Sequence, residues 1–250
     1  TLELTCVDNH IGMKVLLYYT AFCDTDVITR SVKIINEGTQ AFYLTKVLSA
    51  CLDMDNQDYE MISLHGSWAR ERHIQRKKVG YGIQKVSSFR GESSHQDHPF
   101  LALVSPNTTQ EMGEVYAMNF VYSGNFQAQA EVSQFDSIRM SMGIHPENFC
   151  WKLEQGESFQ APEVVMVYSS QGLDGMTTAF HHLYKRHLIR GEYKDKKRPI
   201  LINNWEATYF NFTTEKLLSI AKEASGLGIE MLVMDDGWFG ARSSDNCALG

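Results

Sequence analysis

The spacing of apolar residues changes near residue 170, and this change restricts the fold more than any other feature of the chain. Before it, short apolar runs are separated by polar turns, the clearest runs being 13–20, 27–35, 41–48, 100–104, 115–122 and 164–168. Thr29, Ser31 and Lys33 alternate with mostly apolar neighbours, which is typical of a strand with one solvent-facing side. The pattern predicts an antiparallel β-sandwich over residues 1–170.

After residue 170 the apolar residues recur at steps of three and four. The stripe consists of Met176, Ala179, Phe180, Leu183, Tyr184, His187 and Leu188. This spacing predicts an amphipathic helix over about 173–190, before Gly191. Residues 171–197 are therefore expected to form a linker helix and a connection, whose short basic stretch 194–198 is interpreted as solvated.

The last part of the chain has the pattern strand, helix, strand. An apolar run at 200–203 is followed by a helix that Thr213 or Thr214 can cap, and a second apolar run at 229–234 follows Gly228. Such a βαβ unit has parallel strands, and residues 198–250 are predicted to begin a (β/α)₈ TIM barrel that is truncated here. The fold class is thus multidomain, β followed by α/β. The first residue, Thr1, and the stop soon after the second strand predict that the chain is a fragment.

Composition excludes several classes of protein. Hydrophobic residues make up 43% of the 250 residues and the formal net charge is −7, which is typical of a globular protein and argues against nucleic-acid binding. No run approaches the roughly 20 apolar residues that a membrane-spanning helix needs. The five cysteines are widely spaced without a CxxC pair, which indicates neither a disulfide framework nor a zinc site and favours a reducing, cytoplasmic location.

Two adjacent carboxylates, Asp235 and Asp236, follow the second predicted barrel strand. Adjacent carboxylates are costly to desolvate, so they are expected to face a polar ligand, a cation or water. One interpretation is a cap on the following loop. The other is a sugar clamp, in which the carboxylates accept hydrogen bonds from hydroxyl groups while Trp205 or Trp238 covers an apolar sugar face.

A second candidate segment lies in the predicted β domain. Residues 66–72 (GSWARER) combine Trp68 with alternating charges, which is typical either of a solvent-facing loop or strand edge or of a binding loop. Ser94 and His95 have no evident acid partner for a hydrolase triad. No phosphate-binding loop, dinucleotide fingerprint or HExxH motif is present.

Several segments together resemble glycoside hydrolase family 36 α-galactosidases. Residues 198–212 (RPILINNWEATYFNF) and 228–242 (GIEMLVMDDGWFGAR) are similar to the first two strands of that family's catalytic barrel. Upstream, residues 66–72 (GSWARER), 90–96 (RGESSHQ), 120–126 (FVYSGNF) and 162–169 (PEVVMVYS) resemble its N-terminal β-supersandwich. The resemblance covers nearly the whole chain.

The resemblance implies a retaining α-galactosidase that hydrolyses small α-galactosides of the melibiose and raffinose type. It makes Asp235 and Asp236 galactose-binding carboxylates and places Trp205 and Trp68 against the substrate. The family's nucleophile lies in a Lys-Trp-Asp motif and its acid/base is a later Asp; neither is in these residues, so the chain contains no catalytic residue and is expected to be inactive alone. No metal or organic cofactor is implied. The resemblance further implies a homo-oligomer, specifically a tetramer. It also implies that a loop preceding Thr1 contributes to the substrate pocket of a neighbouring subunit.

Alternatives remain open at this stage. The chain could be a non-catalytic carbohydrate-binding module or a structural β domain, and the resemblance leaves open a related α-N-acetylgalactosaminidase or galactosyltransferase. A continuing barrel with a Lys-x-Asp motif on a later strand would favour the enzyme over the first two.

Overall fold

The computed structural model describes residues 1–248, so the last two positions of the predicted segment 198–250 lie outside the described residues. The chain forms two compact units, one over residues 1–188 and one from residue 189 onward. Each is built from a different class of secondary structure. In the described part of the chain, no helix is long and apolar enough to cross a membrane.

The first unit contains a nine-stranded sheet, whose strands are β1 (Leu2–Asp8), β2 (Met13–Phe22), β3 (Val27–Asn36), β6 (Glu60–Ser67), β7 (Arg70–Lys78), β9 (Phe100–Val104), β10 (Val115–Phe120), β14 (Ser158–Gln160) and β15 (Val164–Ser169). Their order is β1-β2-β3-β15-β10-β9-β6-β7, with β14 paired to β3. Neighbouring strands are antiparallel, as the hydrophobic pattern predicts.

A smaller layer covers one face of this sheet. It consists of β5 (Leu48–Asp55), β11 (Phe126–Val132) and β12 (Ser137–Ile144) in the order β11-β12-β5, with β8 (Gly82–Ser88) beside β11 and a separate pair of β4 (Phe42–Leu44) with β13 (Trp151–Leu153). The predicted antiparallel sandwich is therefore confirmed.

The central strand β9 is buried on both faces, which explains its uninterrupted apolar sequence. Leu101 and Leu103 belong to the core between the two sheets, whereas Phe100, Ala102 and Val104 belong to the core under helix α1 (Gly172–Leu183). The helix contributes Met176, Phe180 and Leu183 to that second core and continues as a π-helical turn, Tyr184–Leu188. The helix predicted over 173–190 is thus present, shifted by one or two residues.

Two predictions about individual strands are wrong. The sequence pattern predicts that Thr29 faces solvent, yet Thr29 is 3% exposed while Ile28 is 44% exposed. The buried side of β3 changes along its length: Val27 lies in the core under α1, whereas Val32 and Ile34 lie in a third core cluster. Nor is 41–48 one strand, because β4 pairs with β13 and the chain then leaves that pair to join β12 through β5.

The second unit has the predicted strand, helix, strand order. Strand β16 (Leu201–Asn203) pairs in parallel with β17 (Met231–Val233), and helix α2 (Trp205–Thr208) and helix α3 (Thr214–Gly226) lie between them in sequence. The Thr213 hydroxyl accepts a hydrogen bond from the Lys216 amide at 3.3 Å, so Thr213 is the cap of α3. The parallel pairing of these two strands is confirmed.

Candidate functional site

The carboxyl ends of β16 and β17 are joined by the buried side chain of Asn204, which is 0% exposed. Its backbone amide donates to the Val233 carbonyl at 3.2 Å. Its side-chain oxygen accepts from the Asp235 amide at 2.8 Å, and its side-chain nitrogen donates to the Thr208 hydroxyl at 2.9 Å. Asn204 therefore fixes the start of the loop that carries Asp235 and Asp236.

Asp235 is held from two sides and keeps capacity for a ligand. Its Oδ2 accepts from the Asn203 side-chain nitrogen at 2.7 Å, and its Oδ1 accepts from the Asp236 amide at 2.7 Å. Asn203 in turn accepts from the Trp205 amide at 2.8 Å, which links the carboxylate to the aromatic residue. Because each carboxylate oxygen has two lone pairs, Asp235 can still accept two hydrogen bonds.

Asp236 is engaged in an ion pair with Arg242. Nε of Arg242 lies 2.9 Å from Oδ1 and 3.1 Å from Oδ2, and Nη2 lies 2.6 Å from Oδ2. The Gly237 amide also donates to Oδ1 at 2.7 Å. The hydrogen bonds from Arg242 hold the pKa of the Asp236 carboxyl below its usual value. Most of the acceptor capacity of this carboxylate is thus occupied.

The segment after this loop returns to Arg242. Nη1 of Arg242 donates to the carbonyls of Ser244 and Cys247, at 2.8 Å in each case. Hydrogen bonds from the Ser244 hydroxyl and from Ser243 lower the pKa of the Cys247 thiol to about 7. Arg242 therefore connects two turns that are not adjacent in sequence.

Aromatic residues surround the loop. Trp205 packs edge-on against Tyr209 and Phe210, with ring centroids 5.4 Å and 4.9 Å apart. Gly237 has φ +95°, and a β-carbon at this position would lie 3.1 Å from the rings of Phe210 and Phe212. The positive φ therefore favours glycine at this turn, and a side chain here would in addition press on the two rings.

Trp68 lies in the first unit, at the tip of the β6–β7 hairpin. It is 85% exposed. Next to it, Nε of Arg70 donates to the Ser67 hydroxyl at 2.7 Å, and the Ala69 amide donates to Glu71 at 3.0 Å. The tip is therefore ordered by local hydrogen bonds while the indole faces outward.

A polar hollow of about 500 Å³ adjoins this hairpin. It is lined by Glu71, Arg72, Ser93, Ser94, His95, His98 and Pro99. Beside it, Nδ1 of His65 pairs with Asp97 at 2.6 Å, and Nε2 of His65 lies 2.8 Å from the Ser63 hydroxyl. Ser63 is 2% exposed, so this array does not present a nucleophile to a substrate. It ties the segment before β9 to the strand that leads to Trp68.

Three of the four residues singled out in the sequence, Trp205, Asp235 and Asp236, lie together in the second unit, whereas Trp68 belongs to the first. The pattern did not indicate Asn203, Asn204 or Arg242 as functional. The two asparagines end an apolar strand, which is a usable signal, but nothing in the spacing from Asp236 to Arg242 reveals their pairing. Within residues 1–248, no group of three or more His, Cys, Asp and Glu side chains is arranged to hold a metal ion.

Comparison with known proteins gives consistent matches along the chain. Residues 1–154 match the family model of the glycosyl hydrolase family 36 N-terminal domain, and residues 158–250 match that of melibiase. α-Galactosidase AgaA of Geobacillus stearothermophilus is 53% identical over 250 residues, which are 100% of this chain and 34% of AgaA. α-Galactosidase Mel36A of Lactobacillus acidophilus is 48% identical over the same shares.

A crystal structure of an AgaA variant in complex with stachyose matches with a TM-score of 0.94 and 53% identity, covering 97% of this chain and 34% of that one. The chain thus spans about a third of the length of the curated relatives it matches, 34% in each of these two.

Proposed function

The chain belongs to glycosyl hydrolase family 36, whose N-terminal domain model matches residues 1–154, and we propose that it carries part of the galactose-binding site of a retaining α-galactosidase. The observation that carries this proposal is the array of Asn203, Trp205, Asp235 and Asp236 at the carboxyl ends of two parallel strands. Sites of α/β barrels are built at that end of the strands.

The array has the chemistry that a sugar ring needs. Asp235 offers two unoccupied lone pairs to hydroxyl donors, and a hydrogen bond to a charged acceptor is about twice as strong as one between neutral groups. Trp205 supplies an aromatic face held by Tyr209 and Phe210. Asp235, Asp236 and Trp205 are assigned to binding: they fix the ring so that its anomeric carbon meets the nucleophile.

The reaction proposed is a double displacement. One carboxylate attacks the anomeric carbon while a second protonates the leaving oxygen and then activates water, which retains the configuration. Family resemblance places both carboxylates in motifs that do not occur in these 250 residues. Small α-galactosides of the melibiose and raffinose type are the proposed substrates.

The test uses the full-length enzyme. We expect hydrolysis of p-nitrophenyl α-galactoside and of melibiose, with the α-anomer of galactose as the first product observed by NMR. Turnover of p-nitrophenyl α-N-acetylgalactosaminide in place of the galactoside would identify the related activity. Galactose binding without turnover of any glycoside would identify a carbohydrate-binding protein and contradict the enzyme assignment.

Two further properties belong to this proposal. The resemblance supports a homo-oligomer, a tetramer in particular, and the mass measured by light scattering on the full-length enzyme tests it. The five widely spaced cysteines support a reducing, cytoplasmic location, which fractionation of the source cells tests.

A further inference from the structure

Arg242 is a largely buried charged side chain next to the proposed sugar site. Its side chain is 9% exposed, against 24% for Asp236. It donates to Asp236, to two backbone carbonyls in the 244–247 turn, and its guanidinium carbon lies 5.5 Å from the centre of the Phe210 ring. These contacts come from three separate segments and together restrict the position of the guanidinium.

That position determines the orientation of the Asp236 carboxylate. Arg242 contacts both carboxylate oxygens at 2.6–3.1 Å, and the Gly237 amide contacts one of them at 2.7 Å. Rotation of the carboxylate would break several of these bonds at once. Because the arginine fork is planar and donates two parallel hydrogen bonds, it sets the direction of its partner carboxylate.

We propose that Arg242 is a positioning residue of the galactose site, which acts through Asp236 by keeping this carboxylate in one orientation before the sugar binds. The inference rests on the proposed function and assigns no contact between Arg242 and the sugar. Its energetic basis is preorganisation: a carboxylate already held in its binding geometry loses little conformational freedom when a hydroxyl group reaches it.

The first test is the pH dependence of galactose affinity, measured by calorimetry on the full-length enzyme and on Arg242→Ala. The other titratable groups around the pair are Asp245 and Cys247, which face Arg242, and Asp235, which accepts from the Asp236 amide. Arg242 lowers the pKa of Asp236, so removing it raises that pKa, and the carboxylate takes up its proton at a higher pH. As the pH is lowered, the affinity of Arg242→Ala for galactose is therefore expected to begin falling at a higher pH than that of the wild type.

The second test separates a positioning role from a purely structural one. In a double-mutant cycle with Asp236→Asn, the loss of galactose affinity in Arg242→Ala should nearly disappear, because the residue through which Arg242 acts is already neutral. Arg242→Lys keeps the charge but not the fork, and we expect it to bind galactose about tenfold more weakly than wild type, with its fold intact by circular dichroism.

The matched control is Arg139→Lys. Arg139 makes the same kind of two-point pair with Asp53, at 2.6 Å and 2.8 Å, in the sandwich unit. This variant should bind galactose as wild type does. Two results would overturn the inference: additive losses of galactose affinity in the double-mutant cycle, or the same pH dependence of galactose affinity in Arg242→Ala as in the wild type. If the wild-type enzyme is active in that case, the proposed function still holds. A wild type that neither binds nor hydrolyses galactosides would overturn both.

Discussion

At the scale of single residues, the two adjacent carboxylates have different environments. Asp235 accepts hydrogen bonds from neutral donors, the Asn203 side-chain nitrogen and the Asp236 backbone amide, whereas Asp236 forms an ion pair with Arg242. This difference explains how two neighbouring acids coexist near the ends of the strands, because only one of them lacks a positive partner. The sequence pattern assigned both residues the same role; the structure gives Asp235 the larger free acceptor capacity.

Neutral substitutions at these two positions test the sugar clamp. Asp235→Asn and Asp236→Asn keep the size of the side chain and replace a charged acceptor by a neutral one. We expect kcat/KM of the full-length enzyme for melibiose to fall by about ten- to a hundredfold in each, with the fold intact. If Asp236→Asn retains the wild-type value, the sugar-clamp interpretation of Asp236 is wrong and it is a loop cap.

Replacement of Trp68 should give a different kinetic signature. Its indole is exposed at a hairpin tip, and we propose from the family resemblance that it covers the substrate away from the reacting ring. Trp68→Ala is therefore expected to raise KM more than it lowers kcat, because it removes binding that ground state and transition state share. Phe135→Ala is a suitable control, since Phe135 is also an exposed aromatic, 82% against 85%, between β11 and β12. A loss of kcat alone in Trp68→Ala would contradict the assignment.

At the scale of secondary structure, periodicity predicted elements whose surroundings are uniform along their length. The run Phe100–Val104 matches β9 because both faces of that strand are buried throughout. The prediction from periodicity is wrong at Thr29, where the buried face of β3 changes from one core cluster to another. The single strand predicted over 41–48 is also wrong, because the chain leaves one strand pair for another in this segment. Such changes depend on distant strands, which a local pattern does not contain.

In the candidate site, too, the sequence pattern indicated some residues and missed others. Asp235, Asp236 and Trp205 were predictable because they follow apolar strands directly. Arg242 was not, because its position depends on a loop whose return is set by Gly237 and by the carbonyls of Ser244 and Cys247. Loops of this kind carry function without a repeating hydrophobic pattern.

Removing the side chain of Asn204 should weaken the connection between β16, β17 and α2. Asn204→Ala leaves the Asp235 amide without its buried acceptor and removes one of several hydrogen bonds of the Thr208 hydroxyl, which costs roughly 1–3 kcal/mol in the free energy of unfolding. Denaturant unfolding of the full-length enzyme measures this loss. Asn211→Ala is the control, because the hydrogen bonds of the exposed Asn211 involve its backbone. Equal stability of the two variants would show that the buried amide does not hold the strand ends.

At the scale of the whole molecule, the two units differ in how much apolar surface they bury. The first has three core clusters, whereas among the described residues of the second only Ala224 is a buried hydrophobic side chain. Ile200, Leu201 and Leu218 are 62%, 51% and 64% exposed. A parallel strand pair with so little covered surface is marginally stable by itself, which accords with its place at the start of a barrel.

A polypeptide of residues 1–250 is therefore expected to release no p-nitrophenol from p-nitrophenyl α-galactoside above the rate without protein. Retaining hydrolysis needs two carboxylates about 5–5.5 Å apart that flank the glycosidic bond. Asp235 and Asp236 are instead adjacent residues held by Asn203 and Arg242, and the Lys-Trp-Asp motif of the nucleophile does not occur in this sequence. The full-length enzyme, assayed in parallel, is the positive control. The same polypeptide with Asp235→Asn detects contamination: activity that this substitution abolishes would prove the prediction wrong, whereas activity that persists in it comes from a host enzyme.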